Sequence, residues 1–174
     1  MKNKRFSPVI KAVLFVLIIL VMHLFQFTII PFTGLSFPIL LMLPMGIAIS
    51  MSEKEFSAVL YGIFIGALWD LSSPVTDGLW TLLFPILFCV TGLLTHYTLR
   101  NTLLTAIIFT TVSTVLYLGI VSLYLLDGAS PDMLSSLFTR HWLPTAVTAI
   151  AISVPEYYAV KKLSKFFNHD KVTF

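Results

Sequence analysis

Charge is what this sequence lacks most. Asp, Glu, Lys and Arg make up 11% of its 174 residues, against about 25% in an ordinary soluble domain. With 57% of the residues hydrophobic, the chain cannot cover itself in polar side chains. A bilayer removes that difficulty, because apolar side chains can face lipid. Cysteine is almost absent as well. The single one, Cys89, lies inside an apolar run, so an intramolecular disulfide is excluded. With no cation beside it in sequence, the thiol reads as a small core residue rather than a reactive one. The formal charge of +3 comes from residues in the tails and short loops. No basic stripe with interleaved aromatics exists, and nucleic acid is not an expected partner. Catalytic patterns are missing too. His23, His96, His141 and His169 are scattered over four segments. There is no H-E-x-x-H and no phosphate-binding glycine loop, nor any serine in a G-x-S-x-G elbow. The sequence therefore predicts no enzyme, no cofactor and no metal site.

What the sequence has is long apolar runs. About 20 apolar residues cross the hydrocarbon of a bilayer. Runs at about 9–30, 35–51, 56–69, 79–95, 103–126 and 143–160 predict an all-α integral membrane protein of six transmembrane helices. They form a single polytopic membrane domain over residues 1–174, since the loops are too short for a soluble domain. The second run is short and contains Pro38 and Pro44, which predict a kink. The first follows a positive region of Lys2, Lys4, Arg5 and Lys11. It is longer than a signal-peptide core and no small-x-small site closes it, so it reads as an uncleaved helix. No internal repeat or low-complexity stretch is present.

Orientation follows from the basic residues. With six spans, ten of the eleven Lys and Arg residues share one side, and only Arg140 lies on the other. Both termini are thus expected in the cytoplasm. Trp69, Trp80 and Trp142 would all fall at the outer boundary, as an interfacial aromatic belt should.

The most informative segment runs from Gly62 through Gly66, Trp69 and Asp70 to a polar turn, then Gly78 and Leu79. Gly62 and Gly66 lie one turn apart on one helix face, where a second backbone can approach closely. Asp70 is expected to end that helix at the outer surface. A carboxylate is disfavoured at a helix C-terminus. It should therefore either accept N–H bonds from its own loop or meet a partner. Gly62, Gly66, Asp70 and Gly78 are the candidate helix-packing or partner-contact residues.

Other polar residues interrupt the apolar runs. Glu156 is the only acid placed within a span, after Pro155 and about one turn from Lys161 and Lys162. An intramembrane acid is a functional suspect, but this one is expected near enough to the inner boundary to reach water. His23 and Gln26 share one face of the first helix, which predicts interhelical hydrogen bonds. Thr110, Thr111, Ser113, Thr114 and Tyr117 give the fifth helix a polar face, with Thr145, Thr148 and Ser153 on the sixth. These can bond between helices or line a cavity, and both readings stay open. In the longest loop, Ser130, Pro131 and Asp132 predict the start of a short helix. Met133, Leu134, Leu137, Phe138 and His141 would share one side, suited to a membrane surface or a partner.

The Gly62–Leu79 segment resembles the most recognisable stretch of the bacterial rod shape-determining protein MreD family. There, a glycine-spaced helix ends in an aspartate, and after a short loop a glycine-leucine opens the next span. The motif covers about 20 residues, while size and hydropathy agree along the whole chain. The resemblance implies a non-enzymatic scaffold of the cell-elongation and peptidoglycan-synthesis machinery in the bacterial cytoplasmic membrane. It would act with an MreC-like, membrane-anchored scaffold. Through that it would reach cytoskeletal MreB and the cell-wall synthase pair of RodA and a penicillin-binding transpeptidase. A fold similar to the substrate-binding subunits of energy-coupling-factor transporters is implied as well. Such a vitamin-capturing subunit is the alternative function. Those subunits dock their coupling partner through small residues on the first helix, whereas the run from Val13 to Met22 is bulky throughout.

Overall fold

The computed structural model describes residues 6–34, 37–73, 78–125 and 136–168. Every regular element among them is helical. The main helices are α1 (Phe6–Leu24), α2 (Met42–Ser52), α3 (Glu55–Ser72), α4 (Leu79–Tyr97), α5 (Leu103–Leu125) and α6 (Leu143–Asn168). Four segments are long and apolar enough to cross a membrane: Val9–Ile29, Glu55–Ser72, Leu79–Tyr97 and Leu103–Leu123. In such a chain, helices satisfy every backbone group internally, which lipid would not do.

The helices run back and forth between two ends. At one end, the Lys11 ammonium pairs with the Glu53 carboxylate and donates to Ser164 Oγ at 3.1 Å. The Asn101 amide donates to the Met51 carbonyl at 2.8 Å. Tyr157 and Lys161 both donate to the Asn101 carbonyl. The start of α1, the end of α2, the start of α5 and the later part of α6 therefore meet there. At the opposite end, Gln26 of the α1 extension meets the start of α2. His23 lies 3.1 Å from Ser72 at the end of α3, and Thr145 donates to the Pro38 carbonyl at 2.9 Å.

The centre of the bundle is α2. Every residue from Met42 to Met51 is buried, and the helix packs against α3, α4, α5 and α6, more lightly against α1. The sequence predicted helix over 35–51, but among the described residues of that run helix begins only at Met42. Pro38 has no N–H to give, and it disfavours helix at the residue before it. The backbone groups this leaves inside the bundle find side-chain partners. Leu41 N and Met42 N donate to Gln26 Oε1 at 2.7 and 2.9 Å, and Pro38 O accepts from Thr145 as above. Pro44 falls in the first turn of α2, where a missing N–H costs nothing.

Two helix ends also differ from expectation. After α1 the chain stays helical through a wide turn at Phe25–Ile29 and a tight one at Ile30–Thr33. Gly34 then closes it at φ 70°. At the other extreme, α6 does not stop at Val160 but continues to Asn168. Lys161, Lys162 and Lys165 thus belong to a helix rather than a tail. Ser164 stays buried on that extra stretch because it receives Lys11. Of the predicted short outer helix, Ser130, Pro131, Asp132, Met133 and Leu134 lie outside the described residues. From Ser136 the chain is helical and leads through Phe138–Trp142 directly into α6.

The aromatic belt needs correction. Trp69 and Trp80 are each only 2% exposed. They sit inside the bundle rather than at a lipid-facing rim. Trp69 stacks edge-on against Phe27, Phe84 and Tyr117 at ring distances of 5.5, 5.3 and 5.2 Å. Trp80 lies 4.8 Å from Tyr117. Close approach of α3 and α4 turns both indoles into the seam, where edge-to-face packing is favourable. Trp142 alone stays partly exposed, beside Phe138.

Candidate functional site

The hairpin of α3 and α4 gathers the residues singled out from the sequence. Gly62 and Gly66 face the α4 backbone. A Cβ built on Gly62 would lie 2.7 Å from Pro85 Cα and 2.9 Å from Pro85 N. One built on Gly66 would collide with the Trp80 carbonyl oxygen and lie 2.7 Å from Thr81 Cα. Carbon atoms in ordinary contact stay about 3.5–4.0 Å apart. The two helices therefore touch backbone to backbone along this stripe, which only glycine permits.

Asp70 locks the top of the same pair. It does not end α3, which runs two residues further to Ser72. The residues a loop cap would use, 74–77, lie outside the described ones, and the described bonds of Asp70 are of another kind. They come from α4. Trp80 N donates to Oδ1 at 3.2 Å, while Thr81 N and Thr81 Oγ1 both donate to Oδ2 at 2.7 Å. Gly78 explains the arrangement. It occupies the N-cap position of α4 at φ 85°, a left-handed conformation that favours glycine. Having no side chain, it cannot cap the helix itself. Asp70 supplies the missing acceptor from α3 and takes the second and third N–H groups of α4, the pair a cap residue normally serves. The electrostatics close as well. The partial negative charge at the C-terminus of α3 disfavours a carboxylate, but the positive N-terminus of α4 attracts it.

Leu79 opens α4 beside Gly78 and packs on the core. The motif thus builds one rigid helix–helix junction. Its face away from α3 is apolar and exposed at Leu82, Ile86 and Val90, suited to lipid or to a partner helix. Among the described residues, no three or more His, Cys, Asp or Glu side chains come together to hold a metal ion.

His23 and Gln26 both bond between helices, as their shared face predicted. That Gln26 serves as the cap of α2 was not foreseen. A lone amide in an apolar run was the available signal, since such a group must find partners in hydrocarbon. The cluster of Lys11, Glu53, Asn101, Tyr157, Lys161 and Ser164 was also missed. Its members come from four separate segments, and no local spacing connects them. The chain matches no known family model, no curated protein and no solved structure.

Proposed function

We propose that this chain is a non-enzymatic scaffold of the MreD type, working in the cell-elongation and peptidoglycan-synthesis machinery of the bacterial cytoplasmic membrane. The observation that carries the reading is the hairpin of α3 and α4. Gly62, Gly66, Asp70, Gly78 and Leu79, the five positions on which the resemblance rests, all fall at that one junction. Two roles follow from it: a fixed apolar surface within the membrane and a fixed outer corner. The partner proposed for that corner is an MreC-like scaffold anchored beside it. MreB and the RodA–transpeptidase pair are proposed as the wider assembly, and membrane lipid surrounds the rest.

The proposed topology has six spans with both termini in the cytoplasm. Support comes from the alternation of helix ends and from the basic residues. Lys11, Lys54, Arg100, Lys161, Lys162 and Lys165 gather at one end, with Arg140 near the other. The short α2 supports it too. Its 11 residues span about 16 Å. The non-helical residues before it add up to about 3.3 Å each. Together they reach the ~30 Å of hydrocarbon, and irregular backbone is tolerated there because Gln26 and Thr145 bond to its polar groups.

Depleting the protein in its own rod-shaped host tests the reading. Cells should round up and recover their rods on re-expression. Unchanged rods after full depletion would contradict it, and tight binding of a vitamin by the purified protein would point to the transporter class instead.

A further inference from the structure

The interior of the bundle holds an acid with nothing to pair it. Glu156 is 6% exposed, and neither carboxyl oxygen has a hydrogen-bond partner. The sequence placed it close to the inner boundary. Its neighbour Tyr157 donates to the Asn101 carbonyl, so Glu156 lies towards the end of the bundle where Lys11, Glu53 and Asn101 meet, yet it is buried rather than open to water. It shares a buried stripe with Ala149, Ser153, Val160 and Ser164, on a helix that packs against α2, α5 and, lightly, α1.

No cation on those elements pairs with it, and Lys162 and Lys165, further along α6, are exposed. The α2 helix has no ionisable side chain, and α5 carries only Tyr117 and Tyr124. On α1, Lys11 is held by Glu53 and by Ser164, two turns beyond Glu156, and His23 is held by Ser72 at the opposite end. On α6 itself, Lys161 is turned to Tyr157 and Asn101. An unpaired charge in such a place costs several kcal/mol, whereas a neutral acid costs far less. Further along α5, the hydroxyls of Thr110 and Thr114 are also buried without a partner. The packing thus leaves hydrogen-bonding capacity unused on both of these helices.

We propose that Glu156 is an exchangeable-proton site inside the bundle, with the proton as its ligand. The neutral carboxyl keeps the seam between α6 and its neighbours closed. Loss of the proton draws water or a cation towards Glu156 and loosens α6.

Dicyclohexylcarbodiimide, an apolar reagent selective for protonated carboxyls in membranes, tests this on the full chain in vesicles at neutral pH. The carboxyl oxygen bonds to the central carbon of the carbodiimide and its proton moves to a nitrogen. The acyl group then migrates to nitrogen, so the stable adduct retains every atom of both reactants. Mass spectrometry should find Glu156 labelled, at least about tenfold above any signal from Glu156→Gln, and equally in sodium and potassium salts. Glu156→Gln, which mimics the neutral acid, should keep the wild-type folded yield. Absence of label at Glu156 would overturn the proposal. Protection by sodium would do so too, because the ligand would then be a metal cation. Loss of folded protein in Glu156→Gln with rescue by Glu156→Asp would show that the charged form is needed, which also overturns it.

Discussion

Gly66→Ala adds one methyl group where α3 meets α4. That carbon would collide with the Trp80 carbonyl oxygen and lie 2.7 and 2.8 Å from Thr81 Cα and N. All three are backbone atoms, so no side-chain rotation relieves the contact. The helices must part by about 1 Å to restore ordinary carbon spacing. Parting also stretches the two 2.7 Å bonds from Thr81 to Asp70 and loosens the indole packing beside them. Overpacking of this kind costs about 1–3 kcal/mol. For a chain of this size that lowers Tm by roughly 3–10 °C. The control is Gly119→Ala in α5, where an added Cβ meets nothing within 4 Å. There alanine should be neutral or slightly stabilising, as in any helix. Thermal melts of both variants in detergent, followed by loss of the monodisperse chromatographic peak, provide the comparison. Equal melting of Gly66→Ala and Gly119→Ala would refute the backbone-to-backbone junction.

Asp70→Ala should cost about 1–2 kcal/mol, the usual value of a helix cap. Asp70→Asn, which keeps one acceptor oxygen, should lose roughly half of that. Wild-type melting of Asp70→Ala would remove Asp70 from its capping role. If Asp70→Asn loses an MreC-like partner while keeping normal protein level, the carboxylate also serves the proposed contact. Gln26→Leu strands the buried N–H groups of Leu41 and Met42 and should cost about 1–3 kcal/mol; an unchanged melt would mean that another acceptor serves α2. Reporter fusions after Lys54 and Arg100 should read cytoplasmic, and those after Gly34 and Gly78 external. A cytoplasmic signal at Gly78 would break the six-span topology.

Helical architecture was legible because hydropathy alone determines it in this solvent. Residues 56–69 and 79–95 predicted α3 and α4 to within a few positions. The glycine stripe was legible because a one-turn spacing places two residues on one face whatever surrounds them. The direction in which a residue looks around its helix is harder to read. Trp69 and Trp80 sit at sequence positions that suit an interfacial belt, yet both turn inward, because inward is where the glycines bring α4. Asp70 was expected to serve its own loop, whose residues 74–77 lie outside the described ones, and its bonds to α4 were not foreseen. The described donors are 10 and 11 residues away, beyond any local turn. Helix ends were misread where a tertiary partner replaces a local signal. The stretch before α2 stays non-helical with Gln26 to satisfy it, and α6 passes three lysines without stopping because Lys11 of α1 donates to Ser164 and the Asn101 carbonyl accepts from Lys161.

Co-purification with the host's MreC-like protein is the most direct test of the scaffold reading. The two chains are produced together in bacterial membranes, solubilised in mild detergent, and captured through a tag on the chain described here. The scaffold reading predicts that the partner is retained through size exclusion as a single complex and is lost with Gly66→Leu, which forces α3 and α4 apart. A monodisperse, correctly inserted chain that recovers none of the MreC-like protein would contradict it.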